Sequence, residues 1–563
     1  MVPALVLTLA GYVIAEATKI GVQASSVTQF ILVVLVLGAG TDYGLFLVFR
    51  AREEMRRGLT PKDAVARSVA TVGESITFSA LIVIVALLSL LIAQFGFYQS
   101  LGPALAIGIA IMLFAGLTLL PALLAIFGRA VFWPTSTKAD PDAKAGWWGR
   151  AAGFLIKKPL VTALVGLLAF GGLALGSIGT TTAGFANQST GPAGFDSTEG
   201  TTVIAAHFPT ASVFPNEVLF HFTNSVWASP DPLQMINDRL NASKTFKSHG
   251  VFGPLNPNNV PLTTAQLSQS YSLLGPPDKL PPQQSQAGPA ARSLPPATYN
   301  AYRSLEQYIS PDGLTVQFAA ILSNGKVDDP AAVAAMPALR DEVAGIARSA
   351  HADQNGVFGL LPFAYDVSDI SHTDLSHIIP TVAVLIAILL GIVLRSAAAP
   401  LYLVPSVLLS YFASLGLVAI IFVHLGGQSG TNFVLPFLMY VFLMALGSDY
   451  NVLVMTRIRE EFHRRPLREA VRYAIGATGT TITTAGVILG GTFAVLAVAG
   501  GASGGSSGGQ IQQIGYGVAA GIILDTFVVR TVVVPAIVVL LGRWNWWPSR
   551  LGREERNAED RAA

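Results

Sequence analysis

The sequence contains no cysteine and little charge of either sign. Of its 563 residues only 12% are charged, whereas soluble domains contain roughly 25%. The absence of cysteine excludes disulfides, thiolate metal sites and cysteine nucleophiles. The formal net charge of +2 is too small to indicate a nucleic-acid partner, and no basic block is interleaved with aromatic residues. No P-loop motif occurs, so ATP is not predicted to be the energy source of this chain.

Long apolar stretches take the place of the missing charge. Hydrophobic residues make up 52% of the chain, and the mean hydropathy is +0.55. A helix needs about 20 apolar residues to cross the hydrocarbon core of a membrane. No basic n-region or A-x-A cleavage site follows the start, so we interpret the first apolar stretch as a helix rather than a signal peptide. Ten spans are predicted, the first of them rather short: 2–17, 28–49, 76–94, 101–127, 160–178, 378–394, 401–424, 433–455, 482–499 and 514–541.

A polar segment rich in Pro and Asn separates the fifth span from the sixth, and we predict that it forms an extramembrane α+β domain. Within it, 218–222 and 314–322 have the pattern of strands, and 330–349 has apolar residues at helical spacing. The segment 275–296, rich in Pro, Gln, Ser and Ala, is expected to be an irregular or mobile loop. The histidines of this domain are too scattered to predict a metal site.

Basic residues indicate the orientation of the spans, because Lys and Arg concentrate in short cytoplasmic loops. They cluster in 50–67 and again in 457–472, whereas 94–100 and 500–513 carry no charge. With an even number of spans, both termini are predicted to be cytoplasmic and the polar domain extracytoplasmic. Thr60 is expected to cap a separate helix on the cytoplasmic membrane surface. The G-x-S-x-G pattern at 501–505 lies in a Gly/Ser-rich stretch and is interpreted as a linker, not a nucleophile elbow.

The two halves of the chain repeat each other. Gly-Thr-Asp-Tyr-Gly at 40–44 matches Gly-Ser-Asp-Tyr-Asn at 447–451, and each is followed at the same distance by Arg-x-Arg-Glu-Glu. Leu-Pro-Ala at 120–122 likewise matches Val-Pro-Ala at 534–536. Both copies have the same predicted orientation, which indicates a parallel repeat about an axis normal to the membrane. If a whole unit was duplicated, the first copy is expected to lack an opening helix, an external domain and one further helix.

These patterns predict a membrane all-α bundle with one α+β extracytoplasmic domain. The predicted division is as follows: a partial first repeat of four helices at 1–128, a cytoplasmic linker at 129–158, a helix opening the second half at 159–178, the extracytoplasmic domain at 179–377, a second repeat of five helices at 378–541, and a cytoplasmic tail at 542–563.

Two carboxylates, Asp42 and Asp449, lie near the middle of apolar spans at equivalent positions of the repeat. An ionised carboxylate at that depth costs roughly 2.5–3.5 kcal/mol on insertion scales, and such residues mark ion or proton paths. Tyr43 and Tyr450 can supply hydroxyl groups, and pseudo-twofold symmetry would bring each Asp to the Tyr of the other copy. Two interpretations stay open: a proton relay, or structural hydrogen bonds that lock two central helices together.

Two further charges, Asp525 and Arg530, lie in the last span. The first copy has Ile111 and Gly116 at the corresponding positions, so the pair has no charged equivalent. They are candidates for a buried ion pair or for partners of Asp449, although a separation of five residues is poor same-face spacing on an α-helix. Intramembrane charges are functional candidates by default, and we keep both as possible accessory residues. A GxxxG pattern nearby indicates only close helix packing.

The paired Gly-x-Asp-Tyr helices, the Arg-x-Arg-Glu-Glu ends and the large external insertion resemble the MMPL family of the resistance-nodulation-division superfamily. In the external domain, His-Phe-Pro at 207–209, Ser-Pro-Asp-Gly at 310–313 and a helix ending near Leu339 and Arg340 are similar to the porter region of that family. The resemblance implies that Asp42, Tyr43, Asp449 and Tyr450 form the proton relay. It implies a multi-pass protein of an actinobacterial plasma membrane.

The implied activity is export of lipids or glycolipids for cell-envelope assembly, driven by protons as the coupling ion and with no other cofactor. The expected partners are membrane lipids, the lipid substrate and accessory envelope proteins. Two alternatives stay open: proton-coupled efflux of drugs or siderophores, and a membrane scaffold or lipid sensor that keeps the fold without transport. No catalytic constellation is present, so an enzyme is not predicted.

Overall fold

The computed structural model describes residues 2–22, 26–132, 147–180, 182–183, 196–207, 215–323, 330–428, 430–503 and 505–549, leaving aside some side chains within them. The chain divides into two compact units. One comprises Met1–Thr180 and Ile370–Ala563, and the other comprises Thr181–Asp369. Each unit is described by itself below.

The helices are numbered along the chain. They are α1 Val2–Ala17, α2 Ser26–Arg56, α3 Pro61–Leu88, α4 Gly96–Leu117, α5 Leu119–Phe127, α6 Trp147–Leu155, α7 Pro159–Ala174, α8 Asp196–His207, α9 Asp231–Ala242, α10 Thr264–Leu274, α11 Pro289–Arg292, α12 Pro296–Arg303, α13 Pro330–Ala334, α14 Met336–Ser349, α15 Leu360–Leu394, α16 Pro400–Val418, α17 Val434–Phe462, α18 Leu467–Ser503, α19 Gly505–Leu524 and α20 Val534–Leu541. Among the described residues, two segments are π-helical: Ala419–Leu425 after α16 and Asp525–Val533 between α19 and α20.

The first unit is a bundle of membrane-spanning helices, which makes the chain a multi-pass membrane protein. Within the described ranges, nine helical runs are long and apolar enough to span a membrane: Ile31–Arg56, Pro61–Ile92, Gly96–Phe132, Pro159–Ser177, Leu360–Leu394, Pro400–Leu425, Val434–Phe462, Leu467–Gly501 and Ile511–Trp546. The first of the ten predicted spans, Val2–Ala17, is an apolar helix of 16 residues and falls short of the length that a span requires.

The buried fraction of each membrane helix depends on whether the helix is surrounded by other helices or faces lipid. Nearly all of α17 is buried, whereas α7 exposes a continuous apolar face, as expected where a helix meets lipid instead of protein. Helix α2 packs against α18, and α17 packs against α3, so equivalent helices of the two repeats exchange partners. This reciprocal packing is the arrangement that a parallel pseudo-twofold repeat predicts.

Close packing at the GxxxG pattern is confirmed. A Cβ atom added to Gly517 would lie 2.5 Å from the sulfur of Met439, and one added to Gly521 would lie 2.6 Å from the Cδ1 atom of Leu443. Both neighbours lie on α17. The two glycines therefore let α19 approach the central helix closely, as small residues do in membrane bundles.

Helix α15 is tied to the first repeat and to α17 by polar side chains. The carboxylate of Asp374, which is buried, accepts hydrogen bonds from the backbone N–H groups of Gln94 at 2.8 Å and Phe95 at 2.9 Å. The hydroxyl of Tyr440 on α17 donates to the carbonyl oxygen of Ile379 at 2.7 Å. The bonds to Asp374 satisfy backbone N–H groups in the short segment before α4, and the bond from Tyr440 joins α17 to α15.

Two predictions near the helix ends are wrong. Thr60 does cap α3, since its hydroxyl oxygen accepts from the backbone N–H of Asp63. Yet α3 continues from Pro61 to Leu88 without a break, so there is no separate surface helix. The Gly/Ser-rich stretch at 500–513 is also not a loop: α18 runs to Ser503, and α19 begins at Gly505, with Gly504 outside the described residues. Alternating Gly with small residues does not prevent a helix when its neighbours pack closely.

The second unit is built on a four-stranded antiparallel sheet. The strands of the chain are β1 Thr182–Ala183, β2 Asn216–His221, β3 Phe246–Phe252, β4 Thr315–Leu322, β5 Gln354–Phe358 and β6 Thr431–Asn432. The sheet has the order β3-β4-β2-β5, with Val218 opposite Phe318 and Val357. The two predicted strands are confirmed as β2 and β4, and their alternate apolar residues enter the core of the unit.

The predicted helix at 330–349 is present as two helices, α13 and α14. Pro337 lies in the first turn of α14, and proline removes a backbone donor and clashes with the carbonyl group four residues earlier, which ends α13. The apolar residues Met336, Leu339 and Val343 are buried as predicted.

The segment 275–296 contains short helical turns and the four-residue helix α11 between irregular stretches, and hydrogen bonds hold it in place. The hydroxyl of Tyr302 donates to the carbonyl oxygen of Gly275, and that of Tyr299 donates to Pro281. The amide of Gln284 donates to two carbonyl groups at 2.6 and 2.9 Å. These contacts favour the irregular alternative over the mobile one.

Candidate functional site

The centre of the candidate site is a hydrogen bond between the two repeats. The hydroxyl of Tyr450 on α17 donates to Oδ2 of Asp42 on α2 at 2.6 Å, and both residues are almost fully buried. The predicted contact between an Asp of one copy and the Tyr of the other is confirmed for this pair. The backbone of Asp449 lies on α17, but its side chain lies outside the described part of the chain. Tyr43 is buried next to Asp42.

A buried arginine extends the site. The guanidinium carbon of Arg530 lies 3.9 Å from the centroid of the Tyr450 ring, a cation–π contact. One guanidinium nitrogen also donates to the carbonyl oxygens of Leu446 and Gly447, each at 3.4 Å, and forms an ion pair with Asp525. Arg530 therefore links the last membrane span to the Tyr450 ring and, through that residue, to Asp42.

The ion pair between Asp525 and Arg530 contradicts the expectation that their spacing is unfavourable. That expectation assumed an α-helix, in which residues three or four apart share a face. The segment from Asp525 to Val533 is instead a π-helix, whose backbone bonds join residues i and i+5. Two side chains five residues apart therefore lie on the same face, and the pair can close.

The equivalent place in the first repeat has no charge. The alignment of 120–122 with 534–536 sets Gly116 against Arg530, and a Cβ atom added to Gly116 would lie 3.7 Å from Tyr43. Tyr43 thus packs against a glycine where Tyr450 packs against a guanidinium group. The site has approximate twofold symmetry in its helices but only one described arginine.

Several buried polar atoms of the site have no hydrogen-bonding partner among the described residues. They include Oδ1 of Asp42, Oδ1 of Asp525, the side-chain amide of Asn451 and the hydroxyl of Thr526. Buried polar atoms in folded proteins are nearly always satisfied, so such a cluster requires an explanation. Asn451 and Thr526 were not singled out from the sequence. The available signal for Asn451 was that the first repeat has Gly44 at its position.

A cavity of about 380 Å³ adjoins this site and is lined by both repeats. Phe46, Phe49 and Arg50 line one side, and their equivalents in the second repeat line the other. Phe46 lies one helical turn after Asp42, and its ring meets that of Tyr450 edge-on at 5.8 Å. The cavity thus lies between the site and the helix ends that carry the Arg-x-Arg-Glu-Glu sequences, where Arg50 pairs with Glu53 at 2.9 Å.

The sequence profile of the MMPL family matches residues 2–162 and 280–560, which is most of the chain. This chain belongs to the MMPL family. Membership agrees with the reciprocal packing of the two repeats and with the contact between Asp42 and Tyr450.

Three relatives illustrate the range of the family. A putative membrane protein, ActII-3 of Streptomyces coelicolor, is 32% identical over 97% of this chain and 66% of its own length. The apo-petrobactin exporter of Bacillus anthracis is 28% identical over 96% of this chain and 66% of its own length. The sulfolipid-1 exporter MmpL8 of Mycobacterium tuberculosis is 38% identical over 43% of this chain and 21% of its own length. The chain therefore spans about 66% of the length of the first two of these relatives and 21% of the third, and none of the three is named as an enzyme.

The family-like motifs of the second unit have structural contacts. Ser310 and the backbone N–H of Leu314 donate to the carboxylate of Asp312, and the hydrogen bond from Ser310 holds the pKa of Asp312 below its usual range. Arg340 donates to both carboxylate oxygens of Asp366, at 2.7 and 2.8 Å, which raises the pKa of the guanidinium group. Residues 208 and 209 of the His-Phe-Pro motif lie outside the described ranges.

Proposed function

We propose that this chain is a proton-coupled exporter and that Asp42, Tyr450 and Arg530 couple proton binding to helix movement. The observation that carries the proposal is the buried contact between repeats, in which Tyr450 donates to Asp42 while Arg530 lies over its ring. Tyr43 and Asp449 are proposed to complete the relay by virtue of their equivalent positions. Asp525 is proposed to hold Arg530 in place.

The charges of the cluster suit a site that binds one proton. Among its described side chains are two carboxylates, Asp42 and Asp525, and one guanidinium group, so the three are neutral when one proton is bound. Oδ1 of Asp42 has no partner in the described part of the chain and retains its lone pairs for a proton. Proton binding weakens Oδ2 as an acceptor and removes the attraction between Asp42 and the positive charge of Arg530.

This change acts on helices of different repeats. Asp42 lies on α2, Tyr450 lies on α17, and Arg530 lies on the last span, so loss of the attraction releases the three helices from one another. A proton crossing the membrane supplies about 2.3 kcal/mol per 100 mV. The bond between Tyr450 and Asp42 is charge-assisted and worth roughly 1.5–3 kcal/mol, so one proton is sufficient to change its state.

The orientation and location belong to the same proposal. The helix ends with the Arg-x-Arg-Glu-Glu sequences are proposed to face the cytoplasm, since basic residues concentrate on that side. The second unit is proposed to be extracytoplasmic and the membrane to be the plasma membrane. Nine spans alone would place the two termini on opposite sides, so the proposal that both termini are cytoplasmic requires the 16-residue helix Val2–Ala17 to cross the membrane as a tenth span. The 380 Å³ cavity then provides the proton exit.

For the substrate, we propose a lipid or glycolipid of the cell envelope. The support is the 38% identity with a relative named as a sulfolipid exporter, over 43% of this chain. A second candidate is a siderophore, supported by the relative named as an apo-petrobactin exporter, which matches 96% of this chain at lower identity. Membrane lipids and accessory envelope proteins are the proposed partners in either case.

The coupling proposal is tested by proton entry into liposomes that contain the full chain and an internal pH dye, under an imposed membrane potential. Wild type is expected to acidify the interior, and Asp42→Asn and Asp449→Asn are expected to abolish the signal. Equal flux in wild type and Asp42→Asn contradicts the relay. If all three are silent while the protein stays folded, the scaffold alternative is favoured.

The substrate proposal is tested in the same liposomes with labelled compounds. Proton-dependent movement of a labelled glycolipid, absent in Asp42→Asn, supports lipid export. Movement of a labelled siderophore, with the glycolipid left in place, favours the second candidate.

A further inference from the structure

A second cavity lies at the same end of the bundle as the Arg-x-Arg-Glu-Glu sequences, apart from the candidate relay. Its volume is about 860 Å³, and it lies between the end of α15, the end of α17 and the segment after α20. Arg395, Arg459 and His463 line it, and no carboxylate does so among the described residues. The cavity therefore has basic walls and no carboxylate among its described lining residues; the charge of Glu74, which does not line the cavity, acts on Arg459.

The arginines of this cavity differ from their neighbours. Arg457 and Arg465, on nearby turns, form ion pairs with Glu461. Arg395 and Arg459 form none with any carboxylate that the structure describes. Arg459 instead donates to the carbonyl oxygen of Leu394 at 3.4 Å, which uses only one of its five N–H groups.

The backbone of Arg395 adds a second observation. Its φ is +49°, the left-handed conformation that helix C-termini usually assign to glycine. A non-glycine residue costs energy in this conformation, and such residues are concentrated at functional sites. An arginine is therefore kept at a position that glycine would occupy with less strain, and its side chain is exposed at the cavity.

Hydrogen bonds hold the segment between α15 and α16, which carries Arg395 and forms one wall of the cavity. The hydroxyl of Ser396 donates to the carbonyl oxygen of Asn545 at 2.6 Å, and the N–H of Ala397 donates to that of Trp547 at 2.8 Å. Asn545 is fully buried and also accepts from the hydroxyl of Tyr402 at 2.9 Å. Two bonds thus hold the segment between α15 and α16, and a third, from Tyr402 on α16, holds Asn545, so the cavity has a defined shape.

Lipid-facing residues continue from the cavity along α15. Ile388 and Ile392 line it and are 54% and 61% exposed, on the face of a membrane span. Basic side chains thus stand at the end of an apolar helix face. This order, cations next to an aqueous surface and apolar residues next to acyl chains, matches the two parts of an anionic phospholipid.

We propose that this cavity binds the head group of an anionic phospholipid from the leaflet next to these helix ends, with the phosphate between Arg395 and Arg459 and an acyl chain along Ile388 and Ile392. His463 stands beside them, with its Nδ1 donating to the carbonyl oxygen of Arg459 at 2.8 Å. The site is separate from the candidate relay, because its lining residues include none of the relay residues and none of the residues that line the 380 Å³ cavity.

The test is lipid retention by the purified full chain in detergent, counted by native mass spectrometry with phosphatidylglycerol or phosphatidylcholine of the same acyl chains. Wild type is expected to retain phosphatidylglycerol in preference to phosphatidylcholine. The double variant Arg395→Gly, Arg459→Gln is expected to lose about tenfold to thirtyfold in affinity for phosphatidylglycerol. Each basic residue near an anionic membrane surface contributes about fivefold in affinity, and the variant removes two of them.

Two controls make the result decisive. Lys157→Gln with Lys158→Gln removes two exposed cations from the loop before α7, outside the cavity, and is expected to leave the preference unchanged. Arg395→Gly alone removes one charge while relieving the left-handed backbone, so a loss of lipid in this variant cannot be ascribed to a weakened fold. Unchanged retention in the cavity variants, or an equal loss in the lysine control, overturns the site whatever the proton assay gives.

Discussion

Substitutions of Asp525 and Arg530 can separate what their ion pair contributes to stability from what it contributes to function. Removing either member alone is expected to destabilise the protein, whereas replacing both with apolar residues is expected to restore most of the stability. The variants are Asp525→Ile, which copies Ile111 of the first repeat, Arg530→Met, and the two combined. Only the combined variant removes both charges while keeping the interior packed, so it shows whether function requires the charges themselves.

The magnitude follows from the burial of the pair. Asp525 and Arg530 are 2% and 3% exposed, so water cannot solvate the charge that a single substitution leaves behind. Breaking a buried pair in this way costs about 3–5 kcal/mol, whereas apolar replacement of both members is often neutral or stabilising. Arg530→Met also removes the contact with the Tyr450 ring, worth about 2 kcal/mol when desolvated, so the double variant is expected to remain slightly below wild type.

Two assays are needed for this prediction. Unfolding by SDS, followed by tryptophan fluorescence, ranks the four proteins by stability and gives the coupling between the two sites. Proton entry into liposomes then measures function in the double variant, which is expected to be folded but silent. Single variants as stable as wild type would refute the buried pair, and wild-type proton entry in the double variant would refute its role in coupling.

Three further predictions concern the scaffold. Asp374→Ala removes the buried carboxylate that accepts from the backbone N–H groups of Gln94, which is exposed, and Phe95, which is partly buried; it is expected to lower stability by about 1–3 kcal/mol, with Asp374→Asn losing about half as much in the same SDS titration. Gly521→Ala is expected to cost about 1–3 kcal/mol because the added methyl group meets Leu443, whereas Gly491→Ala, with open space around it, is expected to be neutral or stabilising. Burial raises the pKa of Glu217, so this carboxylate binds a proton more tightly in the folded protein than in the unfolded chain. Glu217→Gln removes the buried negative charge and is therefore expected to raise the melting temperature at pH 7. The gain is expected to shrink as the pH falls towards 4.5, the ordinary pKa of a glutamate. An equal gain at both pH values would contradict this cause.

The arrangement of the helices followed from patterns that the membrane enforces. A buried carboxylate in an apolar span is rare, so finding Asp42 and Asp449 at matching positions predicted both the repeat and the contact of Asp42 with Tyr450. Strands β2 and β4 were predicted because their alternate residues face a core. The membrane helices were predictable because the bilayer excludes charge, and the two strands were predictable because alternate residues must be buried.

Helix ends were harder to predict because composition sets them only weakly. Helix α15 begins at Leu360, well before the apolar part of its span, and α3 continues through a polar first half. Apolar length indicates where a helix crosses the membrane but not where its hydrogen bonding stops. The Gly/Ser-rich stretch at 500–513 is helical on both sides of Gly504, although glycine has a low helix propensity.

The remaining features depend on contacts that spacing cannot reveal. The pairing of Asp525 with Arg530 depends on a local π-helix, and no sequence rule used here predicts one. The basic cavity depends on Arg395 and Arg459, which are 64 positions apart in the sequence and are brought together by the ends of α15 and α17. Both features required the tertiary structure.

The central claim is that the hydrogen bond from Tyr450 to Asp42 takes part in proton coupling. Its most direct test compares Tyr450→Phe with Tyr440→Phe in the liposome proton assay. Each substitution removes one hydroxyl from α17 and one hydrogen bond, of 2.6 Å to Asp42 or 2.7 Å to Ile379, while the ring remains. The account predicts that Tyr450→Phe abolishes or strongly reduces proton entry and that Tyr440→Phe leaves it near the wild-type rate. Equal proton entry in the two variants would contradict the account.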